Sequence, residues 1–208
     1  MRIGMLGAGA MAQALGARWA KAGHDIVVAA RDAERATDLA ARLGARAGSF
    51  AEAAAHGDAV LAALPHSAML DVVEPLADVL AGRALIDCSN PIVPGPGGPM
   101  LTTDGGSSAA RRIADAAPGV HVIKAFNLCA AEVWARYPDG LAVPLCGDDA
   151  HALALVRALV TDLGALPLDA GGLDRAGYVE ATAAFVIGVW FAGGDPRTVL
   201  PLVEHAQG

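Results

Sequence analysis

The stretch MRIGMLGAGAMAQALGARWAKAGHDIVVAARD, residues 1–32, decides the fold. A short apolar run leads through GAGAMA, residues 7–12, into an amphipathic helical pattern, and a second apolar run ends just before Arg31. The six residues follow the pattern G-x-G-x-x-A. Its first glycine permits a tight turn, its second lets a pyrophosphate approach the backbone, and its alanine allows a helix to pack closely on a strand. Because a strand precedes the turn and a helix follows it, the stretch predicts a dinucleotide-binding βαβ unit.

Apolar runs and helical patterns alternate along most of the chain. The helical patterns cover 10–22, 33–43, 67–80, 107–116, 129–136 and 149–163. The predicted strands are RIGMLG, DIVVAA, AVLAAL, ALIDCS, HVIKAF, AVPLCG and ALPLDA, with a weaker candidate, GARAGS, at 44–49. Short apolar strands separated by helices form parallel sheets that are covered on both faces. We therefore predict an α/β protein with a Rossmann-type, doubly wound, mostly parallel sheet and a short C-terminal helical extension.

Two segments depart from this alternation. Residues 90–108, NPIVPGPGGPMLTTDGGSS, are rich in proline and glycine, which predicts an exposed irregular loop. After residue 174 the pattern predicts two helices separated by GGDP, with Asp195 as cap and Pro196 as first residue of the second helix. We expect a nucleotide-binding domain over 1–170. Residues 171–208 are then a helical segment packed on that domain or on a partner subunit.

Composition excludes several classes of protein. The formal net charge of −7 argues against general nucleic-acid binding. The oily segment ATAAFVIGVWFA, 181–192, is shorter than the roughly 20 residues that cross a bilayer, so we expect a buried helix and no membrane partner. Cys88, Cys129 and Cys146 form no C-x-x-C pair, which suits a reduced cytoplasm. The sequence shows no metal-ligand spacing, so no metal is expected.

Arg31 stands about twenty residues past the glycines, where an Asp or Glu commonly holds a ribose hydroxyl. A guanidinium is always charged and its fork matches phosphate oxygens, so Arg31 favours the adenosine 2′-phosphate of NADP. Arg35, one helical turn later, adds a second positive charge, while Asp32 caps the helix or points elsewhere. The alternative is that Arg31 is solvated and Asp32 binds the ribose, which would make the cofactor NAD.

Several longer phrases resemble one known family. They are the opening GAGAMAQALGARWAKAGHDIVVAARD, LIDCSNP, GGSSAARRIADAAPGVHVIKAFN, CGDD and DAGGLDRAGYVEATAAF. In order and spacing they are similar to the NADPH-dependent reductases of the deazaflavin coenzyme F420. More broadly, they resemble the family whose Rossmann domain also occurs in ferric reductases of the six-transmembrane type. The resemblance implies hydride transfer between NADP(H) and coenzyme F420.

The same resemblance implies positions for each part of the dinucleotide, beginning at the tight turn at Gly7. Along the pyrophosphate it places Ala8, Gly9, Ala10 and Met11, and around the adenosine phosphate Ala30, Arg31 and Arg35. Near the nicotinamide ribose it places Leu64, Pro65 and His66. Beside the nicotinamide it places Asn90, Ala125, Phe126 and Asn127.

The chain also departs from the family at two places. Leu128 and Cys129 follow the AFN segment where the family commonly has a Thr, which puts polar contacts to the acceptor ring in doubt. The proline- and glycine-rich segment 93–99 is longer than usual and reshapes the mouth of the site.

No catalytic dyad stands out in the sequence, and stacked rings at near-attack distance need no protein acid for hydride transfer. His66 follows the strand AVLAAL, at the edge where doubly wound sheets bind ligands, although a PHS sequence is also typical of helix capping. Lys124 and Asn127 follow a later strand and are candidates for steadying a developing anion. The alternative for Lys124 is a structural place at the end of the sheet.

Three functions stay open at this point. The first is F420-dependent NADP(H) oxidoreduction, and the second is NADPH-dependent reduction of a flavin, ferric chelate, imine or carbonyl. The third is an NADP-binding sensor without turnover. The polyanionic tail of F420 needs a basic rim, for which the candidates are Arg111, Arg112, Arg136 and Arg175. The oily stretch 178–192 predicts a homodimer seam, with burial inside one subunit as the alternative.

Overall fold

The computed structural model describes residues 1–96, 98–102, 106–136 and 138–195. Its centre is a six-stranded sheet in which every neighbouring pair is parallel. The strand order is β3-β2-β1-β4-β5-β8, which confirms the predicted Rossmann-type arrangement. The strands are β1 (Arg2–Leu6), β2 (Asp25–Ala29), β3 (Arg46–Ala47), β4 (Ala59–Ala62), β5 (Ala84–Asp87) and β8 (His121–Lys124).

Helices cover both faces of this sheet. Alternate apolar residues of the strands other than β3 enter opposite buried clusters, so that Leu61 belongs to one cluster and its neighbour Val60 to the other. The helices are α1 (Ala10–Lys21), α2 (Ala33–Leu43), α3 (Phe50–His56), α4 (Met69–Val73), α5 (Ala77–Leu80), α6 (Ala109–Ala116), α7 (Ala131–Arg136), α8 (Ala150–Asp162) and α9 (Ala176–Phe191).

Side-chain caps fix where several of these helices begin. Asp32 accepts hydrogen bonds from the backbone N–H groups of Glu34 and Arg35 at the start of α2. Ser49 and Glu52 form a reciprocal capping box at the start of α3. The helix α3 was not predicted, although S-x-x-E before an alanine run is the signature of such a start.

The predicted helix over 67–80 is wrong as a single element. The chain forms the short helices α4 and α5 there, separated by a 3-10 turn at Glu74–Leu76 and preceded by another at His66–Ala68. Pro75 lies in the central turn, and its ring has no N–H to continue an α-helical ladder.

The predicted irregular loop over 90–108 is also wrong in part. It contains an antiparallel hairpin of β6 (Ile92–Gly95) and β7 (Gly98–Leu101). Prolines are tolerated in such isolated two-stranded ribbons because an edge strand can leave backbone positions unpaired. Residues 97 and 103–105 lie outside the described part.

The last two predicted strands form a pair of their own. The strands β9 (Ala142–Leu145) and β10 (Leu166–Asp169) are parallel to each other. A single antiparallel bridge between Lys124 and Cys146 joins this pair to β8. The second sheet thus lies beside the carboxyl end of β8.

The helix α9, which covers most of the apolar segment 181–192, is only partly buried within the single chain. Its buried residues are Ala176, Val179, Glu180 and Ala183, whereas Phe185, Trp190 and Phe191 are 55%, 65% and 71% exposed. No helix among the described residues is long and apolar enough to cross a membrane. The second predicted C-terminal helix, beginning at Pro196, lies outside the described residues.

Candidate dinucleotide site

The turn between β1 and α1 has the backbone shape that the sequence predicts. Gly7 has φ of +118°, and a Cβ there would collide with the carbonyl oxygen of Ala63, so only glycine fits. A Cβ on Gly9 would meet nothing within 4 Å, so the space beside the start of α1 is open. The N-terminal turn of α1 has no side-chain cap, which leaves backbone N–H groups available to an anion.

A cavity of about 250 Å³ lies above this turn at the carboxyl edge of the sheet. Eight residues of the predicted cofactor site line it: Gly7, Ala8, Gly9, Ala30, Arg31, Arg35, Leu64 and Pro65. The structure adds five lining residues that the sequence analysis did not assign to the cofactor: Asp32, Phe50, Ala63, Ala68 and Val72. Ala10 and Met11 do not line this cavity, and they lie in the first turn of α1.

Two guanidinium groups stand at one end of the cavity. Arg31 and Arg35 are both exposed, and neither forms a salt bridge within the part of the chain that the structure describes. Asp32 lies between them, and its Oδ1 accepts hydrogen bonds from the N–H groups of Glu34 and Arg35, at 3.0 and 3.3 Å. The arrangement agrees with the capping role predicted for Asp32 and leaves two positive charges for a ligand phosphate.

His66 lies next to this cavity but turns towards α6. Its Nε2 is 3.1 Å from Nη2 of Arg112, and since a guanidinium only donates, Nε2 is the acceptor and the ring is neutral. Burial and then the charge of Arg112 lower the pKa of His66 below its usual 6.5. An imidazole whose pKa is lowered in this way is mostly neutral at pH 7 and is therefore a weak general acid.

Asn90 and Asn127 form a reciprocal pair after β5 and β8. Asn90 Nδ2 donates to the carbonyl oxygen of Asn127 at 2.8 Å, and Asn127 Nδ2 donates to Asn90 Oδ1 at 2.9 Å. Asn127 Nδ2 also donates to the carbonyl oxygen of Val179 at 3.3 Å. The segment before Asn127 is constrained as well, because Phe126 has φ of 62° and packs edge-on against Trp19 and Trp134.

Lys124 is completely buried, and its ammonium group has three oxygen partners. Nζ lies 2.8 Å from Asp87 Oδ2 and 2.8 Å from Glu180 Oε1, and it donates to the carbonyl oxygen of Ser89 at 2.6 Å. Burial alone would lower the pKa of Lys124, but the two carboxylates raise it above its usual value, so the group stays charged. The three partners use all three N–H donors of the ammonium, which does not favour the predicted contact of Lys124 with the hydride-accepting substrate.

The four arginines expected at an acceptor rim do not share one environment. Arg112 contacts His66, whereas Arg111 pairs with Asp148 at 3.3 Å. Arg175 donates to the carbonyl oxygen of Ala170 and stacks over Tyr178, and Arg136 lies exposed at the end of α7. The structure therefore brings one of the four, Arg112, beside a residue of the predicted site.

The cysteines are poor nucleophiles in this fold. Burial raises the pKa of Cys88 to about 12 and that of Cys146 to about 11, and it also raises the pKa of Cys129. The thiolate forms are thus scarce at neutral pH. Within the described ranges no cluster of three or more His, Cys, Asp or Glu residues has an arrangement able to hold a metal ion.

The carboxylates Asp87 and Glu180 are the functional candidates that sequence reasoning missed. Asp87 closes the strand ALID, where an acid at the end of an apolar strand was a usable signal. The sequence around Glu180 carried no such signal, since Glu180 lies in an apolar helix and its partners Lys124 and Ala109 are far away in sequence. A partner that close appears only once the chain is folded.

Strand order, glycine turn and cavity together define a dinucleotide-binding protein of the Rossmann class. Residues 2–91 match the model of the family described as NADP oxidoreductase, coenzyme F420-dependent. The match covers less than half of the chain. It confirms the resemblance of the sequence to F420-dependent NADP oxidoreductases.

Two relatives and one solved structure illustrate the similarity. The F420-dependent NADP reductase of Methanothermobacter marburgensis is 28% identical over 206 residues, 90% of this chain and 91% of the relative. The metalloreductase STEAP3 of Rattus norvegicus is 31% identical over 191 residues, 91% of this chain but only 38% of the relative. A crystal structure from Arthrobacter sp. FB24 superposes with a TM-score of 0.83 at 24% identity, covering 94% of this chain and 96% of the other, which shows the common fold.

Proposed function

We propose that the protein transfers hydride between NADP(H) and the deazaflavin coenzyme F420. The observation that carries the NADP part is a cavity lined by the glycine turn and by Arg31 and Arg35, which form no salt bridge with any described residue. The F420 part is supported by similarity to an F420-dependent NADP reductase over about nine-tenths of both chains.

The residues of the cavity fit the parts of NADP in charge and shape. The uncapped N-terminus of α1 and the open space at Gly9 suit a pyrophosphate, which needs backbone N–H donors and room. Arg31 and Arg35 suit a 2′-phosphate, because a guanidinium fork matches two of its oxygens. Leu64 and Pro65 line the same cavity, and we expect the nicotinamide end to extend from them towards Asn90 and Asn127, which follow β5 and β8.

When bound, NADPH would supply a hydride, and reduction of the deazaflavin would need that hydride and one proton. The chain's own contribution is to bind and orient the two rings, since His66 is neutral and the Lys124 donors already have partners. The roles predicted for His66, Lys124 and Asn127 in catalysis stay predictions. We expect turnover in both directions, because neither direction needs a proton from a side chain of fixed pKa.

A second candidate function is reduction of a ferric chelate or another small acceptor by NADPH. It is favoured by the 31% identity to a metalloreductase, of whose length the chain spans 38%. Both candidates use the same NADP site, so they differ in the second substrate alone. An NADP-binding sensor without turnover would lack any acceptor.

The test is an anaerobic mixture of the protein, NADPH and oxidised F420. We expect the visible absorbance of the deazaflavin to bleach, and adding NADP⁺ to reduced F420 to restore it. Tight NADPH binding without bleaching would contradict the F420 proposal. Parallel assays with free flavin, a quinone and a ferric chelate then distinguish a reductase of another acceptor from a sensor. A sensor would reduce none of these compounds.

We also propose a cytoplasmic homodimer with its seam over residues 178–192. The support is the exposed apolar surface of α9, to which Tyr178, Phe185, Trp190 and Phe191 contribute. In this arrangement residues 1–170 bind the dinucleotide, and the described part of the C-terminal segment, residues 171–195, packs on that domain and on the second subunit.

A further inference from the structure

Glu180 belongs to the C-terminal helix α9, yet its side chain is wholly buried against the nucleotide-binding domain. One oxygen lies 2.8 Å from Lys124 Nζ, and the two oxygens accept hydrogen bonds from the backbone N–H groups of Ala109 and Ala110 at 3.0 and 3.3 Å. A buried carboxylate is costly unless its oxygens have such partners. Glu180 therefore fixes α9 against both β8 and the start of α6.

Val179, next to Glu180, links the position of α9 to the pair formed by Asn90 and Asn127. The carbonyl oxygen of Val179 accepts one N–H of the Asn127 amide, and Asn90 Oδ1 accepts the other. Because both N–H groups are used, the orientation of the Asn127 amide is determined. Its Oδ1 is buried and has no hydrogen-bond partner in the part of the chain that the structure describes.

An amide oxygen left alone in a buried site calls for a donor. Asn127 and Asn90 follow parallel strands at the carboxyl edge, where doubly wound sheets bind their ligands. The nicotinamide end of a dinucleotide brings to this edge one group with N–H donors, its carboxamide. One of its two N–H donors would satisfy the Asn127 oxygen.

We propose that Glu180 is a positioning residue for the dinucleotide: by docking α9 it holds the Val179 carbonyl on Asn127, and so presents Asn127 Oδ1 to the nicotinamide carboxamide. The inference rests on the proposed function, since it takes NADP as the ligand. It adds a residue of the C-terminal helix, far from the phosphate turn, to the determinants of cofactor recognition.

The test compares NADP⁺ with its 3-acetylpyridine analogue, in which a methyl ketone replaces the carboxamide and removes the N–H donors. Dissociation constants are measured by calorimetry without any acceptor. We expect the wild-type protein to bind NADP⁺ about tenfold more tightly than the analogue, the effect of one hydrogen bond to a buried group. In Asn127→Ala and Glu180→Ala this ratio falls to about twofold or less, because the oxygen is removed or no longer held.

Two further variants keep the test decisive. Glu180→Gln preserves side-chain size but places an amide N–H₂ against groups that all donate, so it lowers the ratio at least about threefold even if Glu180→Ala fails to fold. Thr182→Ala, on the exposed side of α9, leaves the ratio unchanged. Thermal unfolding curves identify variants that are merely unstable.

Equal weakening of both ligands by Glu180→Gln, with the wild-type ratio retained, would overturn the positioning role. Equal binding of the two ligands by the wild-type protein would overturn the Asn127 contact. Either result with F420 still bleached by NADPH removes this inference alone. Failure of the wild-type protein to bind NADP⁺ at all overturns the inference and the proposed function together.

Discussion

Replacing Arg31 by Ala should remove most of the preference for NADPH over NADH. Arg31 lines the cavity, is exposed and has no carboxylate partner among the described residues, so its charge is available to a 2′-phosphate. A charge-assisted hydrogen bond contributes about 1.5–3 kcal/mol, which corresponds to about tenfold to a hundredfold in affinity. We therefore expect wild-type protein to bind NADPH at least about tenfold more tightly than NADH.

The assay is calorimetric titration of each nucleotide into wild-type and variant protein. Arg31→Ala should weaken NADPH by about tenfold or more and leave NADH almost unchanged, since NADH has no 2′-phosphate. Arg42→Ala is the matched control, because Arg42 is exposed in the last turn of the same helix α2 but does not line the cavity. Raised salt should weaken NADPH more than NADH, because exposed charges are screened.

Equal affinities for NADPH and NADH in the wild-type protein would refute the reasoning. So would an NADH affinity that falls with Asp32→Ala while NADPH is unaffected. That result would make Asp32 the ribose ligand, as in an NAD-dependent protein. On the present geometry Asp32→Ala costs a helix cap, about 1 kcal/mol of stability, without changing which nucleotide is preferred.

Four further outcomes are expected. His66→Ala should lower turnover less than about tenfold, and a thousandfold loss in steady-state kinetics would make His66 a general acid. NMR titration should give His66 a pKa below its usual 6.5. The unfolded chain then binds more protons than the folded chain, so the stability that neutral His66 contributes is lost as pH falls below 6.5. A raised pKa of His66 would contradict this. Gly9→Ala should leave the melting temperature unchanged but weaken NADPH, whereas Gly7→Ala should destabilise the fold, and the reverse order in thermal melts would refute the turn geometry. Light scattering should give about twice the 20.9 kDa of one chain, and a monomer at all concentrations would reject the proposed seam.

The fold was predictable where local patterns and long-range packing agree. The turn at residues 7–12 combines a strand, small residues and an amphipathic helix, and the structure has each element within a residue or two of its predicted bounds. The prediction failed where a local signal was ambiguous. Proline and glycine at 91–99 suit a loop and a short hairpin equally, and pairing of Ile92 with Leu101 decided between them.

The site shows the same division. Arg31 could be identified because its distance from the glycines is set by one βαβ unit of nearly constant length. The buried group of Lys124, Asp87 and Glu180 could not be identified from the sequence, because the contact of Glu180 with Lys124 depends on how α9 packs on the domain. The partner of α9 could not be predicted for a related reason, since an apolar sequence does not state whether its partner is the same chain or another.

Direct hydride transfer between NADPH and coenzyme F420 can be followed with an isotope label. NADPH carrying deuterium on the transferable C4 position is mixed anaerobically with the protein and oxidised F420, and the reduced deazaflavin is analysed by mass spectrometry. We expect the absorbance to bleach and the deuterium to be recovered on the deazaflavin ring. Loss of the deuterium to water, or no reduction while NADPH is bound, would contradict direct hydride transfer.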